Sequence, residues 1–511
     1  MKKNIQTLLP AALALLIAAC STTGDSYYEA PMPQEAFYGY ANDEPMPPQQ
    51  GGGDRFEAFA DNPFVAAAKQ PTSTFSVDAD GASYAIMRRF FSSGYWDLQP
   101  SSVRIEEFLN YFTFDYPAPT GNDNVAINAE AAACPWNAEH LLLRLGIKGK
   151  ELTPAEVPLA NFVFLVDVSG SMEGSDRLDL LKAGLRELLY QLNPDDRISL
   201  ITYSGEVKKL LESTPVREAG KIEKAINQLK ASGCTAGGEA LKMAYEEALA
   251  NYDATKNNRV IMGTDGDFNV GVTSTEALVE MVESYAKRGI YMTCLGFGMG
   301  NLNDAMMERI SNKGNGTYHY IDCEDEMMKV MVHERERFVS VANDAKCQVT
   351  FDSTVVSEYR LIGYENRVMS NEDFEDDEKD AAEIGAGQTI TALYEVVLTE
   401  DASKTLANKV LATFDFRYKK SLNGASIPLK KQLTLIDAFN KKARSADFSF
   451  AAGVAAYGML LRQSPYKGDT TFDMAERLVN EGLSFDPHGY RAKLLSLIKL
   501  ADQMKASREV H

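Results

Sequence analysis

The stretch FVFLVDVSGSMEGSD, from Phe162 to Asp176, decides the fold of the central part of this chain. A short apolar run ends abruptly at Asp167, and Ser169 and Ser171 follow around the flexible Gly170. The run predicts a buried β-strand, because it is short, apolar and bounded by turn-forming residues. At the carboxyl end of that strand, one carboxylate and two hydroxyls are expected to lie close together.

The surrounding sequence extends this pattern from residue 159 to residue 342. Short apolar runs alternate with amphipathic helical runs such as LDLLKAGLRELLYQL and TEALVEMVESYAKRG. Strands that alternate with helices predict a mainly parallel sheet wrapped by helices on both faces. Ligands of such sheets bind beyond the carboxyl ends of the strands, and Asp167 falls at one of these ends.

Two further oxygen-bearing residues occur where this sheet would bring them to the same edge. Thr235 lies in SGCTAGGEAL before a predicted helix, and Asp265 ends a predicted strand in RVIMGTDGDFNVG. Carboxylate and hydroxyl oxygens suit Mg²⁺, Mn²⁺ or Ca²⁺ and are poor ligands for zinc. An alternative is that the two serines only cap the following helix. The sequence predicts a divalent-metal site with the ligands Asp167, Ser169, Ser171, Thr235 and Asp265. Asp267 is at best a candidate to contact one of these ligands and not the metal itself.

This pattern resembles the metal-ion-dependent adhesion site (MIDAS) of von Willebrand factor type A (VWA) domains, D-x-S-x-S with a distant Thr and a distant Asp. The stretches FSVDADGASYAIMRRF, CPWN, TDGDFNVG and EYRLIGYENR extend the likeness to YfbK-like bacterial lipoproteins, over residues 72 to 505. The resemblance implies a Rossmann-like VWA domain that binds proteins. It also implies a Mg²⁺ ion (or Mn²⁺ or Ca²⁺) with a coordination position left for an Asp or Glu carboxylate of a protein partner.

The first twenty residues, MKKNIQTLLPAALALLIAAC, have the layout of a secretory signal. Lys2 and Lys3 precede an apolar stretch that is too short for a comfortable membrane span. Its end, LIAAC, resembles a lipobox, which implies cleavage before Cys20 and acylation of that cysteine, as with palmitate. Ser21 then favours the outer membrane of a Gram-negative bacterium, so we expect a cell-envelope protein anchored by more than one acyl chain. An ordinary signal peptide with an incidental cysteine is the alternative.

Composition and pattern divide the chain into successive segments, and the predicted fold class is multi-domain α/β plus β. We expect the strands on both sides of the VWA domain to form one β-sandwich-like region, into which the VWA domain is inserted. The expected segments are a signal peptide (1–19), the lipidated cysteine with a disordered tether (20–71), an N-terminal α/β region (72–124), β-strands that pair with the later β region (125–158), the VWA domain with its MIDAS (159–342), the β region (343–440) and a C-terminal helical region (441–511).

The charge and the cysteines exclude several classes of function. The formal net charge of −20 over 511 residues disfavours nucleic-acid binding. No CxxC pair occurs, so a structural zinc site is not expected. An odd number of cysteines after Cys20 leaves at least one free thiol, and the pairing of the others is open. These are Cys134, Cys234, Cys294, Cys323 and Cys347.

The small number of histidines and the lack of common catalytic motifs predict a protein that is not an enzyme. It has five histidines and no GxSxG, HExxH or Walker A motif. Three alternatives stay open at this stage. The first is a structural envelope lipoprotein whose metal only stabilises the loop, and the second is a hydrolase that uses Asp265 and Asp267. The third, an assembly factor for a cytoplasmic AAA+ ATPase, conflicts with the export signal.

Overall fold

The computed structural model describes residues 54–509, with gaps at 79, 96–97, 234–237, 267–273, 301, 378, 380, 405–407 and 441–443. The predicted signal peptide and Cys20 lie outside the described residues, as do Thr235 and Asp267. Among the described residues, no helix is both long and apolar enough to cross a membrane. Cys134, Cys294, Cys323 and Cys347 are free thiols, and Cys234 is not among the described residues.

The strands are numbered in chain order. They are β1 (Val65–Ala66), β2 (Thr72–Ser76), β3 (Val125–Ala133), β4 (His140–Gly149), β5 (Ala160–Asp167), β6 (Arg197–Tyr203), β7 (Val207–Pro215), β8 (Asn257–Thr264), β9 (Ile290–Gly296), β10 (Tyr318–Tyr320), β11 (Ser340–Phe351), β12 (Val356–Ile362), β13 (Val368–Met369), β14 (Ala382–Gly385), β15 (Thr389–Leu398), β16 (Val410–Lys419) and β17 (Ser426–Thr434).

The α-helices are numbered in the same way, and the short 3₁₀ turns and the π-helical turn Lys329–His333 are left unnumbered. They are α1 (Ala82–Ser92), α2 (Ile105–Asn110), α3 (Leu178–Gln191), α4 (Ala219–Gln228), α5 (Gly238–Ala250), α6 (Thr275–Ala286), α7 (Asp304–Lys313), α8 (Glu324–Met328), α9 (Glu400–Lys404), α10 (Leu435–Asn440), α11 (Ala446–Arg462), α12 (Phe472–Glu481) and α13 (Tyr490–Glu509).

The central sheet has the strand order β10-β9-β8-β5-β6-β7. Its pairs are parallel from β10 to β6, and only β7 joins antiparallel. Alternate residues of β5 enter different cores, because successive side chains of a strand point to opposite faces. Val163 and Leu165 pack with α5 to α7, whereas Phe164 and Val166 pack with α3 and α4. The predicted parallel sheet wrapped by helices is therefore confirmed.

Two antiparallel sheets form the predicted β-sandwich-like region. Their strand orders are β1-β12-β15-β4-β3 and β13-β2-β11-β16-β17, and β14 also pairs with β11. Leu143 and Tyr394 of the first sheet share a buried core with Val349 and Phe414 of the second. β4 precedes the central sheet in the chain, and it pairs with β15, which follows that sheet. The central domain thus lies between two segments of one sandwich.

The segment predicted as an N-terminal α/β region, 72–124, is divided among several layers. β2 pairs with β11 inside the sandwich. Ala85 of α1 packs in the core of the central domain, while Phe108 of α2 packs with Tyr457 of α11. The predicted C-terminal helices are present as α11 to α13. This arrangement places α1 and α2 between the central domain, the sandwich and the C-terminal helices.

The pH dependence of protein stability tests whether the carboxyl group of Glu106 in α2 is buried as this packing requires. Burial raises the pKa of Glu106 from 4.5 to about 7, and repulsion from Glu365 adds to the shift. A folded-state pKa above the unfolded value gives stability that is present below pH 4.5 and is lost as the pH rises through about 7. We expect Glu106→Gln to raise the free energy of unfolding by about 3–3.5 kcal/mol at pH 8, at roughly 1.4 kcal/mol for each pKa unit between 4.5 and about 7.

Chemical denaturation of both proteins at pH 4 and pH 8 measures this effect. At pH 4 the wild-type carboxyl is already protonated, so the substitution should change stability little. An equal gain at both pH values would show that the buried charge of Glu106 is not the cause.

Candidate metal centre

Asp167 is the last residue of β5 and lies at the predicted carboxyl edge of the central sheet. Its side chain is 0 % exposed. Oδ1 accepts a hydrogen bond from the backbone N–H of Ser169 (2.8 Å), and Oδ2 accepts one from Oγ1 of Thr264 (3.0 Å). Burial raises the pKa of Asp167 to about 6, these neutral donors oppose the shift, and the nearby Asp265 carboxylate raises the pKa further.

The two serines of the motif lie together beside this carboxylate. Oγ of Ser169 and Oγ of Ser171 are 2.9 Å apart, within hydrogen-bonding distance. Ser169 is the N-cap residue of the 3₁₀ turn Gly170–Met172, but its side chain makes no capping hydrogen bond there, and α3 begins only at Leu178, after Arg177. The capping alternative is therefore excluded for α3, and the two hydroxyls remain part of the loop beside Asp167.

The neighbouring strands bring the predicted Asp265 to this site, together with two residues that the sequence analysis did not select, Thr264 and Tyr203. Asp265 directly follows β8 and is fully buried, and the preceding Thr264 bonds Asp167. On the other side, Tyr203 ends β6 in register with Asp167. Burial raises the pKa of Tyr203 well above 10, and the adjacent Asp167 charge raises it further. The sequence could have identified Thr264 as part of the site, because it precedes Asp265 in the T-D-G sequence. For Tyr203 the only sequence signal was its position at the end of a predicted strand.

Thr235 lies outside the described residues, but the chain just before it is described. The backbone N–H of Gly170 donates to the carbonyl oxygen of Gly233 (3.1 Å), and the N–H of Ser232 donates to the carbonyl oxygen of Val168 (2.7 Å). Gly233 has φ +82°, which favours glycine. The segment that ends two residues before Thr235 is thus bonded directly to the Asp167 loop.

Arginines outside the motif fix the rest of the loop. Arg177 donates to the carbonyl oxygen of Ser171 and, at 3.4 Å, to that of Met299. Arg89, from α1 and therefore outside the central domain, pairs with Asp176 of the loop (2.7 Å). This contact was not predicted, since it joins segments that are distant in the chain.

The donor set fits a hard divalent cation. Two buried carboxylates, Asp167 and Asp265, lie close enough for the second to raise the pKa of the first, and the hydroxyls of Ser169 and Ser171 stand beside them. A cation there would offset the cost of burying these carboxylates. Across the described ranges, no cluster of three or more His, Cys, Asp or Glu side chains suits a metal. A site here would therefore depend on hydroxyls as well as carboxylates.

Comparison with protein families places this site in a known domain. Residues 162–267 match the family described as von Willebrand factor type A domain, which spans Asp167 through Asp265. Residues 336–504 match the family described as "Uncharacterized protein YfbK, C-terminal". Residues 50–144, which precede the central sheet, match a family described as von Willebrand factor.

Individual proteins extend these matches. The chain is 37% identical over 476 residues to "Uncharacterized protein YfbK" of Escherichia coli, covering 88% of this chain and 81% of that protein. It is 27% identical over 225 residues to mouse inter-alpha-trypsin inhibitor heavy chain 4, covering 42% of this chain and 23% of that one. A solved structure, von Willebrand factor type A from Catenulispora acidiphila, is 14% identical with TM-score 0.42, over 70% of this chain and 87% of that one.

Proposed function

This chain belongs to the YfbK family, and on that premise we propose that it binds a protein partner through a divalent cation held by its VWA domain. The proposed ligands are Asp167, Ser169, Ser171, Thr235 and Asp265. Mg²⁺ is the proposed cation, with Mn²⁺ or Ca²⁺ as substitutes, because all five residues offer hard oxygen atoms.

The position of Asp167 carries this proposal. Its carboxylate is fully buried at the edge of the sheet, and two hydroxyls lie beside it. The hydrogen-bond donors to it that the structure describes are neutral groups. A bound cation supplies a positive charge that an Asp or Glu of a partner can approach. Since the chain has a net charge of −20, an acidic partner surface would otherwise be repelled. Recognition should therefore require the metal.

We also propose that the protein is held at a membrane of the cell envelope through acylated Cys20. Support comes from the signal-like segment and the LIAAC sequence that ends in this cysteine. In a Gram-negative bacterium the outer membrane is the proposed location, because Ser21 follows the cysteine. No nucleic-acid partner is proposed, given the acidic composition.

A binding role accounts for the site better than hydrolysis with a histidine as the general base. General base catalysis requires a base within hydrogen-bond reach of the reacting group. The described histidines contact other regions: His140 bonds Glu395, His319 bonds Thr317 and His333 bonds Tyr490. His488 stacks on His333. We therefore propose a protein that is not an enzyme.

A capture experiment tests the proposed function. The full chain, solubilised in detergent and immobilised, is incubated with envelope extract in Mg²⁺ or in EDTA, and Asp167→Ala is incubated in Mg²⁺. We expect one or more proteins to be retained at least tenfold better by the wild type in Mg²⁺ than in the other two conditions.

Two outcomes would contradict the proposal. Equal retention in all three conditions would show that binding does not use the metal. Metal binding without any retained protein would favour the structural alternative, in which the cation only stabilises the loop. Charge reversal of the acidic residues of a retained partner, one at a time, would then identify the carboxylate that approaches the metal.

A further inference from the structure

A polar cleft lies at the end of the central sheet opposite to Asp167. The parallel strands β8 and β9 begin there, at Asn257 and Ile290. The cleft has a volume of ≈ 500 Å³, within the ~300–1,000 Å³ range of small-molecule sites. Its walls come from two parts of the fold: the starts of β8 and β9 in the central domain, and β11 with the β16–β17 hairpin of the sandwich. Such junctions between domains commonly hold ligands.

The charge of this cleft is opposite to that of the whole chain. Lys256, Lys287, Arg288 and Lys420 line it, and none of the described lining residues is acidic. Nearby carboxylates only partly offset the first two, since Lys287 pairs with Glu283 (2.9 Å) and Lys256 lies 3.8 Å from Asp253.

Arg288 and Lys420 form no ion pair with a described residue. The guanidinium of Arg288 lies 5.3 Å from the centroid of the Tyr285 ring, and Nζ of Lys420 donates to the carbonyl oxygen of Asn122. Cations that follow α6 also stabilise its C-terminus. That explanation covers Lys287 and Arg288, but it does not cover Lys420, which comes from the sandwich. Positive charge therefore converges on the cleft from both domains.

Neutral polar groups at the base of the cleft are already oriented. The hydroxyl of Tyr291 donates to Oδ1 of Asn343 (3.0 Å), which joins β9 to β11 across the domain junction. Asn343 is 4 % exposed and lines the cleft. Its Nδ2 donates no hydrogen bond to any residue that the structure describes, and it is not among the buried side-chain atoms that lack a partner. This amide donor is therefore accessible to an acceptor group of a ligand in the cleft.

These observations indicate a ligand that is both anionic and rich in oxygen acceptors. Cations, and Arg above all, bind phosphate or carboxylate. Asn343, Asn257 and Ser421 can bond hydroxyl groups, and the rings of Tyr252 and Tyr291 provide flat apolar faces. We propose that this cleft binds an acidic sugar, a hexose-sized ring that carries a phosphate or a carboxylate.

Calorimetric titration of the full chain in a detergent without sugar groups tests this proposal. The probes are glucose 6-phosphate, glucuronate, glucose and inorganic phosphate. We expect the two acidic sugars to bind and to bind at least tenfold more weakly to the double variant Arg288→Glu/Lys420→Glu. The matched control, Lys242→Glu/Lys430→Glu, changes the same charge at exposed residues outside the cleft and should bind as the wild type does.

The outcomes separate the proposal from simpler explanations. Equal weakening in the control would show non-specific attraction, and phosphate binding as tight as glucose 6-phosphate would show that the sugar is not recognised. If neither acidic sugar binds in solution and the phosphoinositide vesicles do not bind either, the proposed site is wrong. Phosphatidylcholine vesicles with phosphatidylinositol 4-phosphate distinguish the sources: binding to them alone, lost in the double variant, assigns the acidic ring to a lipid headgroup.

This site is independent of the metal centre. EDTA and Asp167→Ala should leave acidic-sugar binding unchanged, because the two sites lie at opposite ends of the central sheet. Failure of the partner-capture experiment therefore leaves this proposal intact, and failure of sugar binding leaves the proposed metal-dependent function intact.

Discussion

Asp167→Ala is expected to abolish the stabilisation of the folded protein by Mg²⁺. A ligand that binds only the folded state stabilises it by RT ln(1 + [L]/Kd), which is about 2.7 kcal/mol at a concentration of 100 Kd. The wild type should thus melt at a higher temperature as Mg²⁺ increases, while the variant should not respond. In EDTA the two proteins should melt similarly, because losing the hydrogen bonds to Asp167 offsets the removal of a buried charge.

The control is Asp179→Ala, which removes the same charge from the first turn of α3. The side chain of Asp179 is 70% exposed and lies 3.8 Å from Lys182. It should keep the full Mg²⁺ response, since an exposed carboxylate of this kind contributes little to stability. A normal Mg²⁺ response in Asp167→Ala, measured by differential scanning calorimetry, would exclude Asp167 as a metal ligand.

The central sheet was predictable because its signals are local. The apolar run that ends in Asp167 and the alternation of strands with helices both fall within short windows of sequence. β5 was expected from NFVFLVD and is observed at Ala160–Asp167. General rules for parallel sheets then place the candidate site at a carboxyl edge, whereas the strand order comes from the structure alone.

The surroundings of the candidate site were only partly predictable. Asp167, Ser169 and Ser171 are neighbours in the chain, so a short motif identifies them. Tyr203 and Arg89 reach the same region from other segments, and a single sequence carries no signal for such pairings. The metal-ligand assignments of all five residues, Asp167, Ser169, Ser171, Thr235 and Asp265, stay predictions, and Thr235 lies outside the described residues.

The buried charges of the N-terminal segment could not be predicted from sequence patterns. Sequence patterns treat charged residues on a short helix as a solvated face, as in RIEEFLN. Arg104 and Glu107 are instead almost fully buried, because α2 is enclosed by the central domain and the C-terminal helices. Burial of a charge is acceptable only when an opposite charge faces it, and the required Asp304 lies 200 residues away in the chain.

Arg104→Ala is expected to destabilise the protein by about 3–5 kcal/mol, the typical cost of removing one partner from a buried ion pair. Arg104 is 2 % exposed. Its guanidinium donates to both carboxylate oxygens of Asp304 (2.7 and 3.2 Å) and also pairs with Glu107. The substitution would leave these carboxylates buried without their cation. Urea denaturation of the full chain at pH 7 measures the loss.

Two comparisons make this result specific to the buried charge. Arg217→Ala removes the same side chain from an exposed pair with Asp195, where about 0–1 kcal/mol is expected. Arg104→Lys keeps the charge but loses the paired contact with Asp304, so an intermediate loss is expected. Because Asp304 begins α7 of the VWA domain, Arg104→Ala should also expose that domain to proteolysis. A loss below about 1 kcal/mol for Arg104→Ala would show that α2 is not held by this network.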